Sequence, residues 1–350
     1  MSGMRDAVLT IAAVLAAACS DALEQDTTVG QVVVVGDSTV TNVSLISATR
    51  FTSTAVPAGR ALAAPVRMTA RDSFVLFAVG AGDSVAILRL LGGGGGATAY
   101  IPLGSGAGAR GAIGVQSPGL GWVPLTGVNR VMQIDWFARD TVGSLPVSAQ
   151  PTAAVVVGSA LYVLSANTVN DSPTGASFLT RFGLTSLGPP LLIPLSGRNA
   201  QGIVMGGDGL LYIVARGNAG VANSRLSIVD PISPMEVAVL NGLGELPGPA
   251  VYHPSGRLLV SSQTEGILEV STLTRRIVRG PGNGVRPGGE GVSALAVDQR
   301  GRVYAVSAVC AGGSGTIRIL SPPPEYRELK TVAMSGCPRA VAVAYTPAVP

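Results

Sequence analysis

The sequence predicts an all-β protein, a seven-bladed β-propeller with four-stranded antiparallel blades, and three observations carry that prediction. Strong apolar strand cores begin near Val32, Phe74, Gly121, Leu161, Leu210, Leu258 and Val303, so they recur at steps of 40 to 49 residues. Short strands repeating at that period mark a propeller, one blade per repeat. The 350 residues include 47 Gly and 24 Pro, which interrupt helices and favour short strands and turns. The two ends also complement each other. The first core, at Val32, has no small-residue strand before it, and the last segment, "PRAVAVA" (338–344), is such a strand with no core after it. The C-terminal strand is therefore expected to complete the N-terminal blade, which removes exposed sheet edges.

The elements of each repeat follow in order. A small-residue strand and a tight turn come first: "GAIGVQSPGLG" (111–121), "AAVVVGSA" (153–160), "GIVMGGDG" (202–209), "AVYHPSG" (250–256) and "ALAVDQRG" (294–301). Their Gly, Ser, Asp and Asn residues suit hairpins. The core strand follows, as in "LYVLSAN" (161–167), "LLYIVAR" (210–216), "RLLVSSQ" (257–263) and "RVYAVSA" (302–308). Leu161 and Val163 point one way, and Tyr162 and Leu164 the other, because strand side chains alternate. A strand apolar on both faces must be covered on both, and neighbouring blades supply that cover. A parallel α/β sheet would also do so, but it needs crossover helices, and no segment shows a 3.6-residue period. A third strand follows a loop ("VMQIDW", "SFLTRFGL", "RLSIVD", "ILEVST", "TIRILS"), and a weaker fourth closes the unit ("LLIPL", "EVAVL").

Composition bounds the function classes. The chain is 47% hydrophobic and 13% charged, the profile of a folding chain rather than a disordered one. Aromatics are 4%, so Val, Leu, Ile and Ala must fill the core. The net charge is +4, yet the basic residues are scattered and Lys330 is the sole lysine. Without a basic run or interleaved aromatics, nucleic acid is not the expected partner. The arginine bias reads as codon usage in a GC-rich genome.

The N-terminus reads as an address. Arg5 gives a minimal positive region, and Ala7 to Ala18 is an apolar run of twelve residues, too short to span a bilayer and suited to a signal segment. It ends in "AAAC" at 16–19, which resembles the bacterial lipobox; the resemblance implies cleavage before Cys19 and its diacylation. Ala16 stands where the lipobox prefers Leu, and Asp6 offsets Arg5. A plain secretory signal cleaved near Ala18 is the other reading. The expected division is a signal peptide over 1–18, a lipidated tether over 19–29 and a propeller over 30–346. The expected location is the bacterial cell envelope, in the periplasm or on the outer membrane surface, with membrane contact through the lipid alone.

The "LYV"-type strands, the "HPSG", "GGDG" and "DQRG" turns before them and the "IVD" or "IDW" segments after them resemble bacterial YVTN/NHL-type propellers, including the virginiamycin B lyase-like group. The resemblance spans about residues 30–345 and implies the propeller fold. The lyases of that group use a histidine and glutamate constellation with magnesium. Here the only histidine, His253, sits in the "HPSG" turn, on the face opposite the links between blades. It reads as a turn residue, and a lone histidine excludes a multi-histidine metal site.

Other motifs carry little chemistry. "GAGARG" (106–111) has G-x-G-x-x-G spacing but no helix after it, so it reads as an interblade link rather than a phosphate loop. "GGGGG" (92–96) reads as a turn. Calcium loops, nucleophile elbows, H-E-x-x-H and haem motifs are missing, so no cofactor, metal or catalytic residue is assigned. Cys310 follows the second strand of the last blade and Cys337 precedes the closing inner strand, which puts both on one face beside the closure seam. In an exported protein they suit a disulfide, with two free thiols as the alternative.

The remaining candidate site is geometric. Interblade links converge at the mouth of the central channel, where Arg110, Gln150, Asn199, Gln201, Glu290 and Arg339 begin inner strands, and Asn167 and Arg216 end core strands. Arg110 and Arg339 can hold a carboxylate or phosphate through charge-assisted bonds, and Glu290 can pair with either. A solvated polar rim around a water-filled channel is the bland alternative. The expected function is non-enzymatic: binding or scaffolding of a protein, peptide or glycan at the channel mouth. The alternative is a propeller-class lyase or hydrolase.

Overall fold

The computed structural model describes residues 30–347 apart from 38, 62–66, 93, 171, 186 and 187. The signal peptide, Cys19 and the tether lie outside the described residues. The described chain forms seven four-stranded antiparallel sheets, with one extra two-stranded hairpin in the fourth. Blades are numbered from the N-terminus. Their second strands are Gln31–Asp37, Phe74–Val79, Leu120–Leu125, Ala160–Ser165, Leu211–Ala215, Arg257–Ser262 and Val303–Ser307, matching the seven apolar cores.

Closure of the ring is a strand exchange between the chain ends. Pro338–Tyr345 is the inner strand of blade 1 and pairs antiparallel with Gln31–Asp37, with Val33 opposite Val343 and Val35 opposite Val341. Cys310 and Cys337 form a disulfide with a Cα–Cα distance of 5.5 Å and 27 residues of separation. It ties the loop after the second strand of blade 7 to the link that enters the closing strand.

Each two-faced core strand serves two neighbours. Leu161 and Val163 pack with Trp122 and Val131 of blade 3, whereas Tyr162 and Leu164 pack with Leu211 and Ile213 of blade 5. Val33 and Val35 pack against Tyr304 and Val306 of blade 7, and Val32 and Val34 against Val75 and Phe77 of blade 2. Alternation along a strand thus becomes alternation between neighbours. Fully burying a side chain of this kind contributes about 1.5–3 kcal/mol, and no single blade buries both of its own faces.

Two of the recurring turns accept buried hydroxyls. Tyr212 and Tyr304 are fully buried, and each hydroxyl donates to a turn carboxylate: Tyr212 to Asp208 Oδ2 at 2.7 Å and Tyr304 to Asp298 Oδ2 at 3.0 Å. Burial pushes both phenols above their ordinary range, and the neighbouring carboxylates push the same way. Asp298 also receives the Arg300 and Arg302 N–H groups and the Arg302 guanidinium, so the buried carboxylate is fully engaged. Gly301 closes that turn at φ +75°, and a Cβ there would lie 2.9 Å from His253 Nε2. His253 is buried in turn. Its Nδ1 is 2.7 Å from Ser255 Oγ and its Nε2 is 2.9 Å from the Gly301 carbonyl oxygen, tying the turns of blades 6 and 7 together.

Two outcomes follow. Reducing the disulfide, or replacing both cysteines with serine, should lower unfolding free energy by about 3.5 kcal/mol, from the loop-closure entropy of a loop this long; urea denaturation with and without reductant measures it. Asp298→Ala strands the Tyr304 hydroxyl and the Arg302 charge, and should cost about 3–5 kcal/mol in the same assay.

Candidate functional site: the channel mouth

The start of an inner strand and the end of a second strand lie on one face of the ring, so the links and loops there surround the channel. A narrow slot of about 40 Å³ opens on this face, lined by Arg67, Arg110, Thr126, Gln150, Thr152 and Gln201 among others. That volume admits one small polar group, since a single water needs about 10–15 Å³. The inner strands beside it stand close together. Ala154 N–H donates to the Ala112 carbonyl at 3.0 Å, and the Thr152 hydroxyl donates to the Ala200 carbonyl at 2.9 Å. Gly111 is required here, because a Cβ would lie 2.4 Å from the Thr152 carbonyl oxygen.

The slot brings together three of the sequence-derived candidates, Arg110, Gln150 and Gln201. The others hold the mouth in shape. Asn199 is buried, with φ +55°; its Oδ1 accepts from Gln201 Nε2 at 2.6 Å and its Nδ2 donates to the Gly217 carbonyl at 3.4 Å. Asn167 Nδ2 donates to the Ala176 carbonyl at 3.0 Å and so stays within its own loop. Arg339 donates to the Ala308 carbonyl at 3.2 Å, beside the disulfide. Glu290 pairs with neither Arg110 nor Arg339, contrary to expectation: Oε2 accepts the Ser307 hydroxyl at 2.6 Å, a nearer partner on its own blade.

Arg67 is the residue that sequence reading missed. It precedes Met68–Arg71, the inner strand of blade 2, which lacks the run of small residues seen in the later blades. The signal available was the Asp72–Ser73 turn before the Phe74 core. Arg67 is half-buried, and its guanidinium is pushed down to about 10, first by burial and then by the nearby charge of Arg216. The extra hairpin of blade 4, Thr168–Val169 with Ser172–Pro173, was also unforeseen, and it places Thr168 on the slot.

The donor set is guanidinium, amide and hydroxyl. Among the described residues no group of three or more His, Cys, Asp and Glu side chains is arranged to hold a metal ion. The magnesium implied by the lyase resemblance does not fit this mouth, because His253 is buried in a turn on the opposite face. Cationic and amide donors suit an anion instead.

No protein-family model matches this sequence, and no curated protein matches it. Solved structures do match. A functionally unknown protein from Desulfotomaculum acetoxidans aligns with a TM-score of 0.66 at 11% identity, over 89% of this chain and 98% of that one. A streptogramin B lyase aligns at 0.60 and 12% identity, over 80% and 95%. Apo AztD from Citrobacter koseri aligns at 0.57 and 14% identity, over 91% and 98%. The chain is a seven-bladed β-propeller. At these identities the likeness shows the fold alone.

The two kinds of mouth residue should separate experimentally. Arg110 is exposed and makes no hydrogen bond or ion pair with a described residue, so Arg110→Ala should change stability by less than about 0.5 kcal/mol. Asn199→Ala loses buried hydrogen bonds and a residue suited to positive φ, and should cost about 1–3 kcal/mol by the same denaturation measurement.

Proposed function

We propose that this protein is a non-enzymatic binding or scaffolding module of the bacterial cell envelope that captures an anionic group of a protein, peptide or glycan at its channel mouth. The observation that carries the reading is the slot itself: Arg67 and Arg110 face it with Gln150 and Gln201, and its lining includes no carboxylate. A carboxylate or phosphate entering there gains charge-assisted bonds, each worth about 1.5–3 kcal/mol. The alternative, a propeller-class lyase or hydrolase, needs an acid and a base beside the ligand. The rim offers Glu290, which is engaged by Ser307. Anchoring through a lipid on Cys19 rests on the "AAAC" segment at 16–19 and its resemblance to a lipobox.

Isothermal titration with citrate and inorganic phosphate should show binding that weakens about tenfold or more in Arg110→Ala and declines as salt is raised. Ligand recovered unchanged after long incubation supports binding over turnover, whereas cleaved product overturns the non-enzymatic reading. In the bacterium, Cys19→Ser should abolish incorporation of labelled palmitate; unchanged incorporation would defeat the anchor.

A further inference from the structure

A second polar cavity, of about 280 Å³, lies beside the mouth on the same face, lined by Ser196, Arg198, Gly217, Asn223 and Arg225. The link from blade 4 to blade 5 forms the wall between the two cavities. Gln201 faces the slot and donates to Asn199 Oδ1, Asn199 Nδ2 reaches the Gly217 carbonyl, and Gly217 faces the second cavity. Backbone bonds fix the same wall: Arg216 N–H donates to the Asn199 carbonyl at 3.0 Å and Gly217 N–H to the Arg198 carbonyl at 3.1 Å. Arg225 Nη1 donates to the Ser196 carbonyl at 2.9 Å, which orients its guanidinium along the rim. Arg198 is exposed and makes no side-chain bond to a described residue. Two carboxylates on this side are engaged: Glu236 by the Ser196 N–H and hydroxyl, and Glu245 by the Gly220 N–H at 2.7 Å.

We infer that the slot and the second cavity are two halves of one site for an extended acidic peptide, with one carboxylate seated by Arg110 and the next by Arg198 and Arg225. The inference rests on the channel-mouth reading above and deepens it. Neither cavity is lined by an aromatic side chain. Sugar rings present apolar faces that are commonly held by stacking on aromatics, whereas a peptide needs amide and hydroxyl partners for its backbone and cations for its acids. Gln150, Gln201 and Asn223 supply the first, and the arginines supply the second.

The test is fluorescence anisotropy with a labelled ten-residue peptide rich in glutamate, its glutamine analogue, and polygalacturonate as competitor. Arg110→Ala and Arg198→Ala, both at exposed positions, are checked for native circular dichroism. The glutamate peptide should bind, the glutamine peptide should bind at least tenfold more weakly, and each variant should lose about tenfold. If Arg198→Ala binds as wild type while Arg110→Ala is impaired, the two-cavity inference fails and the mouth reading stands. If neither variant changes binding, both fail. Binding of polygalacturonate without binding of the peptide overturns the peptide class.

Discussion

Everything in this fold depends on strands that are apolar on both faces and therefore belong to two interblade cores at once. Val33 and Val34 are adjacent in sequence, yet one is buried against blade 7 and the other against blade 2. A sheet built on such strands exposes a greasy face until a neighbour arrives, so stability accrues blade by blade and is complete only when the circle closes. Closure cannot be left to side-chain packing alone, because a ring assembled from sequential blades has a seam. Here the seam carries the pairing of Pro338–Tyr345 with Gln31–Asp37 and the Cys310–Cys337 disulfide. Each resists opening by a different physical means: hydrogen bonding at the inner sheet, and restriction of the unfolded chain at the mouth.

This dependence explains which features were legible in the sequence. Two-faced burial writes itself as uninterrupted apolar runs, and seven of them at regular steps give the blade count. The turns before them were legible from their Gly, Ser, Asp and Asn residues, and the structure adds that Asp208 and Asp298 in the "GGDG" and "DQRG" segments accept buried Tyr hydroxyls. The inner strand of blade 2 was not legible. Met68–Arg71 carries partly exposed, longer side chains, so the small-residue signature is lost and Arg67 with it.

The mouth was legible as a place more than as a set of contacts. Topology alone puts the starts of inner strands around the channel, which is why Arg110, Gln150 and Gln201 were found. Topology does not say which polar groups are consumed by the backbone. Asn199, Asn167 and Arg339 spend their donors on carbonyls, and Glu290 accepts a neighbouring hydroxyl. Links that turn sharply leave carbonyls without ladder partners, and the nearest long polar side chains satisfy them. A rim residue is therefore structural by default, and functional only where the local backbone is already paired.

Arg67 and Arg216 show what the rigid ring makes possible. Arg67 precedes the inner strand Met68–Arg71 of blade 2 and Arg216 follows the second strand Leu211–Ala215 of blade 5, and neither blade can withdraw without breaking its contacts with two others. Burial and mutual repulsion disfavour the charge on Arg67, pushing it down to about 10. In the proposed reading, an anion entering the slot would meet the donors of Arg110, Gln150 and Gln201 that line it. The proposed site would inherit its rigidity from the packing that closes the ring, and its affinity should then follow the charge of the ligand more closely than its size.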